Sequence, residues 1–310
     1  MPDYAPIALF VYKRLDLTMQ VVESLKRNNL AQNSRLYIFS DAAKSKADEE
    51  QIDKVRKYIS SIDGFSEVTV ISARENQGCA KSVISGVSKI FEQYEKIIVV
   101  EDDLILTPNF LDFMNSALDY YAAKNVFSIC GYGMALNFEE NDKTDVYYLP
   151  RGGSWGWATW KNLWEKVDWN VSDYSVFKND PKARKKFNLG GTDLSRMLSY
   201  QMKGLIDSWA IRWWYAQSKM EMLTVYPKIS KVENNGFGQN ATHSANDPHF
   251  KVILDESNKT TFNFNEAIHI DPDLLTQFTY YFSVFYRIKN RLKHRNFRLP
   301  YRIKNLFKNN

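Results

Sequence analysis

Three consecutive carboxylates follow an apolar segment about a third of the way along the chain. Glu101, Asp102 and Asp103 come directly after the sequence Ile-Ile-Val-Val at 97–100. Crowded anions repel one another, so this arrangement requires a cation, N–H donors or solvent to offset the charge. Carboxylate oxygens suit Mg²⁺ or Mn²⁺, and such an ion can bridge to the oxygens of a diphosphate. The triplet therefore predicts a Mn²⁺ or Mg²⁺ site for a diphosphate, with a solvated acidic loop as the alternative.

The elements that would position this triplet alternate along the first 125 residues. Apolar segments precede segments of helical spacing four times, at 7–12 and 15–28, 36–39 and 47–61, 68–71 and 80–94, and 96–100 and 108–121. Such alternation predicts an α/β fold with a mostly parallel sheet, right-handed crossovers and flanking helices. Ligands of such sheets bind beyond the carboxyl ends of the strands, where the triplet, Asp41 and the turn Asn76-Gln77-Gly78 all lie.

The second half of the chain differs in composition. All eight tryptophans lie between 155 and 214, and the segment Arg-Gly-Gly-Ser-Trp-Gly-Trp-Ala-Thr-Trp at 151–160 contains three of them with three glycines. Some indole rings must belong to the core, but others could bind the apolar faces of sugars, and glycine lets the backbone approach a ligand. The change in composition divides one domain into two halves, at 1–125 and 126–273.

The C-terminal tail, residues 274–310, carries nine Lys and Arg residues and no Asp or Glu. Because the whole chain has a formal charge of +5, the rest is close to −4, which disfavours nucleic-acid binding by the main domain. Nine aromatic residues are interleaved with the cations of the tail. This mixture predicts a helix that lies on an anionic membrane surface. The alternative is a helix that packs its aromatic residues on the body.

Two further features concern the compartment. No apolar run is long enough to span a bilayer, and the first residues lack the pattern of a signal peptide. Cys79 and Cys130 show no metal-ligand spacing, which favours reduced structural thiols. We therefore expect a cytoplasmic protein, peripheral on the cytoplasmic face of the inner membrane.

The order of these motifs resembles that of GT-A nucleotide-sugar glycosyltransferases. More specifically, the chain is similar over about 5–245 to the N-acetylglucosaminyltransferase I group, and also to bacterial enzymes that build surface polysaccharides. The motifs that carry the resemblance are Val-Val-Glu-Asp-Asp-Leu at 99–104, Trp155-Gly156-Trp157, Asp207-Ser208-Trp209, and Pro-Lys-Ile-Ser-Lys at 227–231 with His243. The chain departs from the eukaryotic pattern because it has a basic tail and no membrane anchor.

The resemblance implies a site for a UDP-sugar, with a nucleotide-sugar-binding half at 1–125 and an acceptor-side, catalytic half of the same domain at 126–273. Asp103 would be the direct ligand of the metal, with His243 as a second ligand or a phosphate contact. Glu101 and Asp102 would orient the ribose and the water around the metal. His243 could equally be a structural residue, since an isolated histidine is more often hydrogen-bonded than catalytic. Trp155, in the second motif, is a further candidate for a donor contact.

The same resemblance assigns the nucleoside to the ends of the first two strands. Asp41 would accept a hydrogen bond from the uracil N3–H, and Tyr12 and Arg14 would cover the base. Asp41 could equally cap the next segment, as Ser-Asp pairs often do.

The turn before the third helix has a role in this comparison too. The helix that follows Asn76 and Gly78 would present its N-terminus to phosphate, with Lys81 nearby. Lys81 could equally be a solvated helix residue.

For the chemistry, the resemblance points to Asp207. Inverting transfer needs a carboxylate that takes the proton of the acceptor hydroxyl, and Asp207 precedes Ser-Trp-Ala-Ile-Arg at 208–212 in the expected catalytic segment. We expect aromatic neighbours to give Asp207 an apolar environment and Arg212 to pair with it or reach the diphosphate. The alternative for Asp207 is the N-cap of a helix beginning at Ser208.

These implications add up to an inverting, metal-dependent transferase. Its best donor would be UDP-GlcNAc and its acceptor a glycan or a lipid-linked oligosaccharide in surface polysaccharide synthesis. One alternative is a sugar-1-phosphate nucleotidyltransferase, which would normally show a glycine-rich loop where this chain has Lys-Arg-Leu-Asp at 13–16. The other is a non-catalytic carbohydrate-binding module, which would have no use for metal carboxylates.

Overall fold

The computed structural model describes residues 4–236 and 252–293. The ten strands are β1 Ile7–Val11, β2 Arg35–Ser40, β3 Glu67–Ser72, β4 Lys96–Glu101, β5 Leu104–Leu106, β6 Val126–Cys130, β7 Val146–Leu149, β8 Trp157–Trp160, β9 Leu223–Pro227 and β10 Val232–Asn234. The helices of this part of the chain are α1 Leu15–Lys26, α2 Lys46–Ile59, α3 Gly78–Ile90, α4 Phe110–Tyr121, α5 Lys161–Trp164, α6 Tyr174–Phe177, α7 Pro181–Phe187, α8 Leu194–Met202, α9 Trp209–Lys219, α10 Pro272–Tyr280 and α11 Val284–Lys293, with 3-10 turns at 31–33 and 188–190.

Eight strands form one sheet in the order β3-β2-β1-β4-β8-β6-β9-β7. The first four pair in parallel, β8 runs antiparallel to both β4 and β6, β9 is parallel to β6, and β7 is antiparallel to β9. The predicted α/β architecture, a mostly parallel sheet flanked by helices, is confirmed. The two expected halves, 1–125 and 126–273, contribute strands to this same sheet.

The parallel half of the sheet brings strand ends together at one edge. β1 lies between β2 and β4, with Phe10 opposite Glu101 and Val11 opposite Ser40. The carboxyl ends of these strands therefore meet where the acidic triplet begins. Beyond the triplet, β5 pairs antiparallel with β10 in a separate two-stranded sheet.

The tryptophans of the second half form a buried aromatic cluster. Trp157 and Trp213 are fully buried, their ring centres lie 4.4 Å apart, and Trp209 lies 4.9 Å from Trp157. Trp164 packs against the same cluster and against Trp169. These rings stabilise the core through apolar burial, so they are not platforms for sugars.

The glycines of the 151–160 segment serve packing rather than the approach of a ligand. A Cβ at Gly152 would lie 2.3 Å from the Trp214 ring, and one at Gly153 would lie 2.1 Å from Cys130 Sγ. Both are closer than real Cβ contacts, so only glycine fits at these positions. The expectation that these two residues open the backbone to a substrate is therefore wrong.

The first part of the C-terminal tail packs on the body. Leu274 and Phe278 of α10 are buried, and the Phe278 ring lies 5.8 Å from that of Tyr226. Phe282 accepts a hydrogen bond from Thr192 Oγ1 through its carbonyl oxygen. The packed-helix alternative therefore describes the tail as far as residue 282.

Beyond residue 282 the tail is different, because α11 exposes large apolar side chains. Phe285 is 66% exposed, Val284 55% and Ile288 52%. Within residues 4–236 and 252–293, no helix combines the length and apolar character needed to cross a membrane.

Candidate active site

An arginine from the end of β1 contacts the acidic triplet. Arg14 Nη2 donates hydrogen bonds to Asp102 Oδ1 at 2.5 Å and to Asp103 Oδ2 at 3.1 Å. The backbone N–H of Tyr12 donates to Asp102 Oδ2 at 3.4 Å. The order of the sheet explains these contacts, because β1 and β4 are neighbours and parallel. The guanidinium of Arg14 thus offsets part of the negative charge of the triplet, for which the sequence pattern indicated no partner.

Glu101 and Asp102 are the carboxylates of the triplet whose ionisation is opposed by burial. Burial, together with repulsion from Asp103 and Asp102, raises the pKa of Glu101 to about 8. Burial also raises the pKa of Asp102, although Arg14 opposes the shift. Both directions indicate a place where an additional positive charge would be stabilised, since a nearby cation favours the ionised carboxylates.

The donor atoms of the triplet fit a hard divalent cation. Among the described residues, no group of three or more His, Cys, Asp and Glu side chains is already arranged as a metal site. The carboxylate oxygens are nevertheless the ligand type of Mn²⁺ and Mg²⁺, and Arg14 lies farther from Asp103, at 3.1 Å, than from Asp102, at 2.5 Å. The backbone at Gly236 passes directly over the Asp103 carboxylate, because a Cβ at Gly236 would lie 2.5 Å from Asp103 Oδ2. The second predicted ligand, His243, lies outside the described residues.

The contact of Arg14 makes a prediction about metal binding. Arg14→Ala should lower the stability of the metal-free protein by about 2 kcal/mol, because two crowded carboxylates lose a charged donor. The same variant should gain more thermal stability from Mn²⁺ than the wild type does, since the ion no longer competes with a guanidinium. Lys13→Ala is the matched control, as Lys13 is a neighbouring cation that pairs with Asp48 instead. Equal Mn²⁺-induced shifts in all three proteins, measured by calorimetry, would contradict this prediction.

Asp41 joins the end of β2 to the start of α3. Its carboxylate accepts hydrogen bonds from the backbone N–H groups of Gln77 at 2.9 Å and Gly78 at 3.0 Å, and from Asn76 Nδ2 at 3.0 Å. It also accepts the N–H of Ala42 at 2.8 Å. These contacts hold the predicted turn beside the sheet edge. Its role toward uracil stays a prediction.

Asp207 lies at the same helix start. Its Oδ2 accepts the N–H of Ala80 at 3.3 Å, and a Cβ at Gly78 would lie 3.1 Å from that oxygen. Gly78 has a φ of +75°, which glycine adopts readily, so the turn passes close to the carboxylate without strain. The N–H groups of Gly78 and Ala80 are therefore occupied by Asp41 and Asp207, so they are not free for the phosphate that the resemblance placed at the N-terminus of this helix.

Two expectations about Asp207 are wrong. The N-cap of α9 is Ser208, whose Oγ accepts the N–H of Ile211 at 3.3 Å, and the helix begins at Trp209. Asp207 is thus not the cap. It is also exposed rather than enclosed by aromatic residues, because Trp209 turns into the buried cluster.

Cys79, in the first turn of α3, experiences the charges of both the acidic triplet and Asp207. Loss of solvation in the cleft, with the charges of Glu101, Asp207, Asp102 and Asp103, raises the pKa of its thiol to about 12. All four carboxylates therefore act on a single atom next to the start of α3. No pattern in the sequence singles out Cys79 as a functional residue, and its thiol stays protonated and unreactive at neutral pH.

A cavity of about 330 Å³ lies next to Asp207. Its walls come from α3, α8 and α9, and its polar lining residues are Lys81, Ser85, Gln201, Asp207 and Arg212. Arg212 is held in place by two backbone carbonyls, since its Nε donates to Ser208 at 3.2 Å and its Nη1 to Trp169 at 3.1 Å. The sequence did not predict that Gln201 belongs here, because nothing in its local pattern indicates a site.

Trp155 and Tyr12 are two further residues that were predicted to contact the donor. Trp155 is partly buried, and its ring lies 4.8 Å from that of Tyr132. Tyr12 accepts the N–H of Lys44 at its hydroxyl oxygen and lies next to Asp48. Neither arrangement tests a role toward the donor.

No protein-family model matches this sequence, and no curated protein matches it. Among solved structures, TarS of S. aureus (fragment 1–349) is similar at 10% identity with a TM-score of 0.40, over 74% of this chain and 60% of the fragment. The chain thus spans less than two thirds of that fragment. The mannosyltransferase PcManGT from Pyrobaculum calidifontis, solved with GDP-Man and Mn²⁺, is similar at 10% identity with a TM-score of 0.40, over 71% of this chain and 73% of its own. A cytidylyltransferase from Leptospira borgpetersenii is 13% identical, with a TM-score of 0.33 over 53% of this chain and 63% of its own.

The sheet itself is consistent with a GT-A-like fold, because four of its strands pair in parallel and the acidic triplet begins at the end of β4, as the resemblance implied. Likeness at such low identity concerns the fold and carries no information about substrates.

Proposed function

We propose that this protein is a metal-dependent, inverting glycosyltransferase that uses a UDP-sugar, with UDP-GlcNAc as the first donor to test. The observation that carries the proposal is that Asp207 accepts an N–H at the start of α3, which Asp41 holds beside the strand ends that carry the acidic triplet. Inverting transfer needs a site for the leaving diphosphate and, beside it, a carboxylate that accepts a proton. The triplet at the end of β4 and Asp207 at the start of α3 support this division of roles.

In this proposal, the carboxyl ends of β1, β2 and β4 hold the donor. Asp103 is the direct ligand of Mn²⁺ or Mg²⁺, an ion that would offset the charge of the departing diphosphate. Glu101 and Asp102 orient the ribose. Tyr12 and Asp41 lie at the strand ends assigned to uracil, where the contacts of Asp41 fix the turn before α3.

Asp207 acts as the base on the acceptor. Its carboxylate takes the hydroxyl proton while the acceptor oxygen bonds to C1 of the sugar and the bond from C1 to the diphosphate oxygen breaks. The N–H of Ala80 steadies one carboxylate oxygen and leaves the other able to accept the proton. The exposure of Asp207 supports this role, because the acceptor must reach it from solvent.

Binding of UDP tests the donor half of the proposal before any acceptor is known. Isothermal titration of UDP should show tight binding with Mn²⁺ and much weaker binding in EDTA, because the diphosphate and the triplet repel one another without a cation. Metal-independent UDP binding, or none, would contradict the proposal. The carbohydrate-binding alternative predicts sugar binding without any effect of Mn²⁺.

We propose further that α11 holds the enzyme on an anionic membrane, near a lipid-linked acceptor. The helix exposes Val284, Phe285 and Ile288, and Arg287 and Lys289 lie between and after them. Aromatic and aliphatic side chains on such a helix insert at the headgroup boundary, while each cation near the surface adds about 1 kcal/mol of attraction.

This proposal about α11 predicts the effect of truncation. Removing the chain after Ser283 should abolish binding to phosphatidylglycerol vesicles at low salt and leave UDP binding intact, because the packed helix α10 is retained. Phe285→Ser should weaken vesicle binding, whereas Val176→Ser, at an equally exposed position on the body, should not. Sedimentation with anionic and zwitterionic vesicles measures both effects. An intact protein that stays in solution with anionic vesicles would refute the membrane role.

A further inference from the structure

Two cations, Lys81 and Arg212, line the cavity beside Asp207, and neither forms an ion pair with a carboxylate of the described residues. We infer that it binds an acceptor sugar carrying an anionic group, a phosphate or a carboxylate, with that group against Arg212 and Lys81. The inference rests on the proposed function, because it takes Asp207 as the base that the acceptor hydroxyl must reach. It also separates these two cations from the donor diphosphate, to which the resemblance had assigned them.

The environment of Arg212 is the stronger of the two observations that indicate an anionic ligand. It is partly buried, yet within the described chain its hydrogen bonds go only to backbone carbonyls, and no carboxylate lies at ion-pair distance. Burial accordingly lowers the pKa of Arg212, and Asp207 offsets this only at a distance. A partly buried cation without a counter-charge is costly unless an anion binds there. The two carbonyl contacts also fix the plane of the guanidinium, which suits recognition of a planar carboxylate or a phosphate.

Lys81 adds a second positive charge to the same wall. It lies in the first turn of α3, is exposed, and has no ion-pair partner among residues 4–236 and 252–293. With Lys81, Arg212 and Asp207, the cavity has two positive charges and one negative charge. A neutral sugar would leave this excess positive charge without a partner.

The position of the cavity assigns it to the acceptor. None of the three triplet carboxylates lines it, whereas Asp207 does. A base must contact the hydroxyl whose proton it takes, so the acceptor lies on this side of Asp207. The volume of about 330 Å³ is at the lower end of the range of roughly 300–1,000 Å³ for ligand sites, which suits one charged sugar unit.

Ser85 and Gln201 supply the neutral contacts of such a site. Gln201 accepts the N–H of Ser208 at 2.7 Å through Oε1, which orients its amide beside Asp207. Its Nε2 group is then a donor for a sugar hydroxyl. The lining of the cavity therefore includes a base, two cations and an amide donor.

Binding of simple sugars tests the inference without an acceptor of known identity. N-acetylglucosamine 1-phosphate, glucuronic acid and N-acetylglucosamine should be titrated into the full-length protein with Mn²⁺ and UDP present, by ligand-observed NMR. We expect at least one of the two anionic sugars to bind about tenfold or more tightly than the neutral sugar, since a charge-assisted contact is worth about one factor of ten. The anionic sugar that binds more tightly shows whether the cavity prefers a phosphate or a carboxylate.

Variants of the lining residues show which side chains cause the preference for the anionic sugar. Lys81→Ala and Arg212→Gln should each remove most of the preference for the anionic sugar, whereas Lys89→Ala, an exposed cation on the same helix, should retain it. Lys81 is exposed, so its variant keeps the test valid if the Arg212 variant fails to fold. Equal binding of all three sugars to the wild type would overturn the inference. If UDP affinity falls in parallel with the affinity for the anionic sugar, the cations belong to the donor site and the inference is wrong. Failure of the proposed function would look different, because the wild type would then not bind UDP with Mn²⁺.

Discussion

Asp103→Ala should abolish sugar transfer and weaken Mn²⁺-dependent UDP binding by about 100-fold or more. Loss of a residue that merely supports a metal ligand already costs about 10–100-fold in metal affinity, and Asp103 is proposed as the ligand itself. The protein should remain folded, because the substitution removes one of three crowded anions and Arg14 keeps its bond to Asp102. Product formation and UDP titration, each with and without EDTA, measure the two effects.

Asp53→Ala is the matched control for this variant. Asp53 is an exposed carboxylate on α2, away from the strand ends, so its loss should change neither activity nor UDP affinity. Full activity of Asp103→Ala, or of the wild type in EDTA, would rule out the metal-dependent mechanism.

Asp207→Asn should lower kcat by about 10²- to 10⁴-fold, which is the usual contribution of a positioned base. The amide keeps the size of the carboxylate, and its oxygen can still accept the N–H of Ala80. UDP affinity should therefore change little, since the donor contacts lie on the other elements. Single-turnover measurements with saturating donor separate the chemical step from binding.

A base elsewhere would give a different pattern. If Asp207→Asn retains nearly the wild-type rate, another carboxylate takes the proton, and Glu233→Gln becomes the next variant to test. Glu233 is exposed on β10, next to the segment that crosses Asp103. Loss of activity in Glu233→Gln but not in Asp207→Asn would move the acceptor side to that strand.

The sequence predicted the sheet well because each strand has its own local pattern. The buried segment 97–100 and the carboxylates after it are neighbours in the chain, so their position at a strand end followed directly. The contact of Arg14 with Asp102 did not follow, because strand order is a property of the whole sheet. Only the position of β1 beside β4 brings these side chains together.

The glycine and tryptophan segment shows why residue type alone misleads. A missing side chain allows a close approach, but the sequence does not say what approaches. At Gly152 and Gly153 the approaching groups are Trp214 and Cys130, both from the interior. The aromatic cluster was likewise ambiguous, since an indole ring suits a core and a sugar equally.

Long-range contacts explain the remaining differences at the site. Asp207 meets the N–H of Ala80, 127 residues earlier, and no local pattern encodes that pairing. The composition of residues 274–310 also indicated a single tail of uniform character. In the structure, the tail packs on the body only as far as about residue 282. Phe278 is buried against the body, and Phe285 is exposed, although both lie in the same run of aromatic residues.

The most direct test of the central claim is the product formed from nucleotide sugars. The purified protein should be incubated with Mn²⁺ and a panel of UDP-sugars, UDP-GlcNAc first, while release of UDP is followed. We predict that one donor yields UDP, that EDTA and Asp103→Ala stop the release, and that Lys13→Ala does not. Release of pyrophosphate from UTP and a sugar 1-phosphate, with no UDP from any donor, would show a nucleotidyltransferase and contradict the account.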